Sequence, residues 1–96
     1  MTNNQIFLKL CQLTGLSVDI GTLEKIMAKR DIVMTKTQFN HYRRTEKQIP
    51  LPDHILSEFI QALFDLRKEA DEAGIVIFDC RNIFDEINDS KKKDKT

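Results

Sequence analysis

The sequence has no tryptophan, two prolines, three glycines and two cysteines, and its longest uninterrupted apolar run is Ile75 to Phe78. A helix that crosses a membrane needs roughly 18 to 20 consecutive apolar residues, so no membrane span is expected. Cys11 and Cys80 are too few for a disulfide-stapled secreted domain, and no Cys or His pair has zinc-ligand spacing. Residues 1–5 lack the basic start of a secretory signal. We therefore expect a cytoplasmic protein with reduced thiols and with no metal or cofactor.

The chain also has no net charge, because 15 Lys and Arg residues balance 15 Asp and Glu residues. Its 96 residues suit one domain, which leaves little surface for a deep cleft. A hydrophobic fraction of 41% and a charged fraction of 31% are typical of a soluble globular domain. We predict a single helical domain over residues 1–89, followed by a disordered basic tail over residues 90–96.

Apolar residues recur at helical spacing through the first half of the chain. Asn3 and Asn4 are N-cap candidates for a first helix, which Gly15 ends. A second helix begins near Ser17 or Asp19 and ends by Asp31. A third helix, with Thr35 as its N-cap, runs from Lys36 to about Arg44. Their expected inward residues are Ile6, Phe7, Leu10, Cys11 and Leu13, then Ile20, Leu23, Ile26 and Met27, then Phe39 and Tyr42.

The second half begins with a loop over residues 45–52, because Pro50 and Pro52 both remove backbone donors. Pro52 suits the first position of a fourth helix, which we expect to end at Glu72 or Ala73 with Gly74 as its C-cap. This helix has the broadest apolar stripe in the chain and is predicted to be the spine of the core. The stripe comprises Ile55, Leu56, Phe59, Ile60, Leu63, Phe64 and Leu66.

The run over residues 75–78 fits either a short extended segment or the start of another helix, and we favour the extended segment. Residues 82–88 are predicted to form a short terminal helix. The predicted fold is therefore all-α, a small four- to five-helix bundle with a helix-turn-helix-like pair over residues 19–44.

Charge is strongly segregated along the sequence. Residues 24–47 contain seven cations and three anions, whereas residues 53–89 contain ten anions and three cations, and the tail is again basic. Such a layout orients a charged partner even when the net charge is zero. Each charged run also fits an ordinary solvated helix face, and the sequence alone leaves both interpretations open.

The helix pair over residues 19–44 has the outline of a helix-turn-helix, whose second helix presents side chains to the DNA major groove. Asn can bind adenine, Arg and Lys can bind guanine, and Thr can contact a thymine methyl. The base-contact candidates are Lys36, Thr37, Asn40, His41 and Arg44. The phosphate-contact candidates are Lys29, Arg30, Arg43 and Lys47. The glycine common in the turn of this motif is absent.

Catalytic chemistry has little support in the sequence. His41 and His54 lie on different predicted elements, with no Ser or Cys at a spacing that suggests a catalytic triad. Cys11 lies on the apolar face of the first helix and is predicted to be core packing. The three glycines are isolated, so no phosphate-binding loop is present. We expect no catalytic residues, no metal site and no enzymatic activity.

Several segments resemble the YehS-like family of small bacterial proteins. They are Asn3 to Ile6, the step at Val33 to Thr35, Tyr42 to Arg44, and the segment from Pro52 to Leu63. The family's closing motif is matched by Asp53, Leu56, Phe59, Ile60 and Leu63, with Ala62 where the family usually has Gly. The resemblance covers residues 3–68 and implies an all-helical, helix-turn-helix-like bundle without implying catalytic residues. The family commonly has two tandem units, whereas this chain has one. A weaker similarity links the chain to phage-type, repressor-like regulators.

Two functional hypotheses follow from these patterns. The first is a small, non-enzymatic DNA-binding or regulatory protein that acts on double-stranded DNA as a dimer. The second is a protein-protein interaction module, an adaptor or inhibitor of a larger complex, which docks through its segregated charge or its apolar C-terminal segment. The self-association candidates are Ile75, Ile77, Phe78 and Phe84, because one small core has few places to bury them.

Overall fold

A computed structural model describes residues 1–77 and 83–94, with the backbone alone for residues 90–94. The helices are α1 (Asn3–Thr14), α2 (Ile20–Ala28), α3 (Lys36–Arg43), α4 (Asp53–Glu72) and α5 (Ile83–Asp94), with a short 3-10 helix (Leu16–Val18) before α2. No strand occurs among the described residues. The prediction of a small all-α fold is confirmed.

The N-termini of the first three helices are capped by side chains. Thr2 and Gln5 form a capping box at α1, so the prediction that Asn3 or Asn4 caps this helix is wrong. The two Asn side chains instead bind the loop that precedes α4. Thr35 caps α3, as predicted, and Asp19, one of the two residues near which α2 was expected to begin, is its N-cap.

Two glycines end helices in the left-handed backbone conformation, in which other residues are strained. Gly15 has φ +80° and ends α1. Gly74 has φ +75° and lies just beyond the C-cap residue Ala73 of α4. There the Ile75 N–H donates to the Ala70 carbonyl at 2.8 Å and reverses the chain direction. Both glycines were expected at helix ends.

The core is centred on Phe7 of α1. Its ring centroid lies 4.8 Å from that of Phe59 in α4, 5.9 Å from that of Phe39 and 6.3 Å from that of Tyr42, both in α3. All three pairs are edge-to-face, the arrangement that aromatic quadrupoles favour. The other buried apolar residues of this core are Cys11, Leu16, Leu23, Ile26, Met27, Met34, Leu51 and Ala62. Three helices therefore share one aromatic centre.

The predicted inward stripe of α4 is only partly buried. Phe59 is fully buried, whereas Phe64 is 67% exposed and Ile60 also faces solvent. The small residues Ala62 and Ala70 are buried instead, which lets α2 pack closely on α4. The stripe is wider than the neighbouring helices can cover, so its outer half remains at the surface.

The C-terminal segment differs from the prediction in two ways. Residues 75–77 form neither strand nor helix, and residue 78 lies outside the described residues. Helix α5 extends to Asp94, past the predicted end at residue 88 and through most of the expected disordered tail. Asp85 and Glu86 in its first turn favour the positive end of the helix dipole, and lysine is a good helix former. Local propensity therefore extends this helix beyond its apolar residues.

The predicted helix pair is present, but its two helices pack against different neighbours. Helix α2 packs on α4, and α3 packs on α1. Residues 29–35 join α2 to α3, a connection longer than the three- or four-residue turn of a helix-turn-helix. Within it Asp31 takes a left-handed conformation with φ 60°, and Met34 is buried. The connection is therefore a fixed loop and not a tight turn.

Candidate nucleic-acid interface

Helix α3 is short, begins at a well-formed cap and carries no acidic residue. The Thr35 Oγ1 accepts a hydrogen bond from the Gln38 backbone N–H at 3.1 Å, and the Gln38 Oε1 accepts one from the Thr35 N–H at 3.0 Å. No Asp or Glu occurs over residues 32–45, although Lys36, Arg43 and Arg44 do. The surface of α3 is therefore polar and of one charge sign.

The inner side of α3 is anchored by aromatic packing. Phe39 is buried against Phe7, and Tyr42 packs at the edge of the same cluster. The Arg43 guanidinium carbon lies 5.5 Å above the Phe39 ring centroid, within range of a cation–π interaction. Arg43 is thereby held near the surface while it remains exposed.

The end of α3 is tied to α1 by the buried side chain of Asn4. Its Nδ2 donates to the carbonyl oxygens of Tyr42 at 2.9 Å and Ile49 at 2.8 Å, and its Oδ1 accepts from the Leu51 N–H at 2.8 Å. Asn3 adds a bond from its Nδ2 to the Leu51 carbonyl at 3.0 Å. The loop over residues 44–52 has little regular structure, so these bonds satisfy its backbone groups. Sequence reasoning missed this role because Asn near a helix start is also a common cap.

The base-contact candidates divide into two groups in the structure. Lys36, Thr37 and Arg44 are exposed, as predicted, whereas Asn40 and His41 are half-buried. The Asn40 Oδ1 is shielded from solvent and is the one buried side-chain oxygen or nitrogen without a hydrogen-bond partner among the described residues. Asn40 therefore lies at the edge of the outward face of α3 and not at its centre.

Two of the four phosphate-contact candidates are paired with carboxylates of α4. Lys29 Nζ lies 3.1 Å from Glu69 Oε2. Arg30 binds Glu58 through its Nε and Asp65 through its Nη1, the latter at 2.9 Å. Hydrogen bonding to Glu58, and then to Asp65, raises the pKa of the Arg30 guanidinium. Lys29 and Arg30 thus join the end of α2 to α4.

The other two phosphate-contact candidates, Arg43 and Lys47, are exposed. Lys47 has φ 53°, an uncommon conformation for a residue with a side chain. With Lys36 and Arg44 they form a basic surface at α3 and the loop that follows it. We call these four residues the α3 basic surface.

Two further side chains with altered pKa values, Cys11 and Asp19, have structural roles away from the α3 basic surface. Cys11 is fully buried, and burial raises the pKa of its thiol to about 12. Hydrogen bonds from Thr22 lower the pKa of Asp19, the N-cap of α2. Within the described ranges, no group of three or more His, Cys, Asp and Glu residues is arranged to hold a metal ion.

The self-association candidates lie at the surface where they are described. Ile75, Ile77 and Phe84 are exposed, and Phe78 lies outside the described residues. Ile77 also lines an apolar groove of about 570 Å³ between α1 and α4, beside Leu13 and Phe64. Sequence reasoning did not find this groove, because its walls come from helices far apart in the chain.

None of the described helices is both long and apolar enough to cross a membrane. Comparison of the chain with protein-family models, with curated proteins and with solved structures finds no match. The functional interpretation therefore depends on the geometry and charge of the molecule itself.

Proposed function

We propose that this protein is a small, non-enzymatic DNA-binding regulatory protein that works in the cytoplasm and presents α3 to double-stranded DNA. The observation that carries the proposal is the α3 basic surface: four exposed cations on and next to a capped helix that lacks acidic residues. The resemblance of residues 3–68 to the YehS-like family stays a hypothesis about fold and adds no functional residue.

The dimensions of α3 suit a groove-reading helix. A helix with its side chains is about 10–12 Å across, and the major groove of B-DNA is about 12 Å wide. Thr37 is exposed in the first turn of α3, and Arg44 is exposed at its C-cap. Arg44 offers a bidentate donor to guanine, and Thr37 offers a methyl and a hydroxyl group. Arg43 and Lys47 are then placed toward phosphates.

The unsatisfied Asn40 oxygen supports the same assignment. A buried acceptor without a donor is unfavourable by about 1–3 kcal/mol, which favours rotation of the Asn40 side chain toward the surface. In that orientation its amide can accept from the adenine N6 amino group and donate to adenine N7.

The ion pairs of Lys29 and Arg30 change which residues we assign to DNA. Both cations already have carboxylate partners on α4, so the proposed phosphate contacts are Arg43 and Lys47. The acidic residues of α4 and of the first two turns of α5 lie outside the basic segment, so their charge disfavours approach of DNA from those helices. Zero net charge is therefore compatible with oriented DNA binding.

The test is fluorescence anisotropy of a duplex recovered by binding-site selection from a random pool. We expect the double variant Lys36→Ala/Arg44→Ala to bind the selected site at least about tenfold more weakly than the wild type. Lys25→Ala is the matched control, because it removes one exposed cation from α2, and its affinity should be nearly unchanged. An equal loss in the control, or no selected sequence at all, would overturn the proposal.

As a second candidate function, the protein is a protein-protein interaction module, which associates with itself or acts as an adaptor. It is favoured by the exposed apolar residues that flank the groove between α1 and α4, and by exposed Phe84 on α5. Apolar surface of this kind on a small protein is typical of interaction sites. A pull-down with wild-type protein against the Phe84→Asp variant tests it, since docking through α5 should require Phe84.

A further inference from the structure

The first of two unpartnered apolar surfaces is the groove between α1 and α4, which we call the α1–α4 groove. It has a volume of about 570 Å³, and its apolar walls are Leu10, Leu13, Ile60, Leu63 and Phe64. Leu13 is 61% exposed and Phe64 is 67% exposed, so both side chains project along the groove without cover. Burial of such apolar side chains by a partner is favourable.

The second surface is the apolar face of α5. Ile83, Phe84 and Ile87 are spaced so that they share one side of the helix, and Phe84 is 78% exposed. Asp85, Glu86 and Asp89 are also exposed. A helix of this length is about 18 Å long, enough to lie along a neighbouring helix for three turns. The helix is amphipathic, and no other element that the structure describes packs on its apolar side.

Helix α5 does not occupy the groove of its own chain. Ile77, the last residue of the first described range, lines the groove, whereas Phe84 of α5 is 78% exposed and does not line it. Each chain offers one groove and one apolar helix face, and neither is covered by the other.

We infer that two copies of this chain associate symmetrically, with α5 of each protomer packed in the α1–α4 groove of its partner. Two-fold symmetry uses both surfaces of both chains and closes the assembly. Charge is complementary at the first two turns of α5, which carry Asp85, Glu86 and Asp89 and no cation before Lys91, because Lys9 and Lys68 lie one helical turn from Leu13 and Phe64. The inference rests on the second candidate function, docking through the C-terminal segment, and names its occupant.

The test is the molar mass of the full-length protein, measured by light scattering over a range of concentrations without DNA. We expect a dimer for the wild type and a monomer for both Phe64→Asp and Phe84→Asp. Val33→Asp is the matched control, because Val33 is 75% exposed and lies outside the groove, and it should remain a dimer. Circular dichroism checks that each variant keeps its helices, as expected for exposed positions.

A mixing experiment distinguishes this arrangement from other dimers. A mixture of Phe64→Asp and Phe84→Asp chains keeps one intact helix-in-groove contact per pair, so dimers should reappear in the mixture although each variant alone is monomeric. Monomeric wild type at every concentration, or a dimer that both substitutions leave unchanged, would overturn the inference. A monomeric mass would overturn the dimer and leave the second candidate function standing, because the pull-down measures docking to a different protein separately.

Discussion

Asn4 is the residue that ties α1 to the end of α3 and to the loop before α4. Its side chain is 3% exposed and makes three hydrogen bonds to backbone groups 38 to 47 residues away. A buried amide with all of these bonds formed is stabilising. Its removal leaves the Ile49 carbonyl and the Leu51 N–H without partners, whereas the Tyr42 carbonyl keeps its bond from Gln48 Nε2 at 2.9 Å. The sequence places Asn4 next to a helix start, and nothing local distinguishes this long-range role from a cap.

Replacement of Asn4 by Ala should lower the free energy of unfolding by about 2–4 kcal/mol, because buried backbone groups lose their partners. Urea unfolding followed by circular dichroism measures the change. Gln12→Ala, at an exposed position of the same helix, is the control and should change stability by less than about 0.5 kcal/mol. Equal stability of the two variants would contradict the assigned role of Asn4.

Cys11 should be unreactive in the folded protein, because burial raises the pKa of its thiol to about 12 and keeps it protonated at neutral pH. In a Cys80→Ser variant Cys11 is the remaining thiol. A thiol reagent at pH 8 should label it slowly in native buffer and rapidly in denaturant. Equal labelling rates in the two conditions would show that Cys11 is accessible and not part of the core.

At the scale of elements, helix boundaries follow from local sequence signals. Asp19, Thr35, Gly15 and Gly74 each lie at the helix end where their chemistry predicts them. The errors arise where a helix has more apolar residues than neighbours to cover them, as at Phe64, or where good helix formers extend a helix, as in α5. Propensity predicts the ends of helices better than it predicts which residues become buried.

Two glycines of the same region should respond to alanine in opposite directions. Gly15 has φ +80°, so Gly15→Ala should destabilise the protein by about 1–2 kcal/mol through backbone strain alone. Gly21 lies within α2, where an added Cβ meets only Asp19 Oδ1 at 3.8 Å, so Gly21→Ala should stabilise it by about 0.5–1 kcal/mol. Thermal unfolding measures both variants. The same sign of change for the two variants would contradict the helix ends described here.

The ion pairs between α2 and α4 show what a single sequence cannot reveal. Arg30 binds carboxylates 28 and 35 residues later in the chain, and only the folded arrangement of α2 against α4 brings them together. The sequence therefore supports a phosphate contact for Arg30 as readily as a structural one. The folded arrangement favours the ion pairs with Glu58 and Asp65 as the role of Arg30.

Replacement of Arg30 by Ala should reduce thermal stability and leave DNA affinity nearly unchanged, because Glu58 and Asp65 already bind its guanidinium. The loss of stability should shrink in about 1 M salt, which screens surface ion pairs. Thermal unfolding and anisotropy on one variant separate the two roles. A large loss of affinity with unchanged stability would return Arg30 to the DNA contacts.

At the scale of the whole molecule, the all-α class, the order of the helices and the basic third helix could be predicted from periodicity and charge alone. The α1–α4 groove and the Asn4 bonds could not, because they depend on helices that meet only after folding. The candidate DNA-contact set could be named by charge and position. Its division into exposed, half-buried and paired members required the structure.

The measurement that tests the central claim most directly is the salt dependence of DNA affinity. It is measured by fluorescence anisotropy on one duplex. The proposed phosphate contacts Arg43 and Lys47 neutralise two phosphates per protomer, so log affinity should fall against log salt with a slope of roughly −2 for one bound protomer and roughly −4 for a bound dimer. The slope should be smaller in magnitude for Arg43→Ala/Lys47→Ala than for Lys25→Ala. Absence of binding at low salt, or a slope that these substitutions leave equal, would contradict the account.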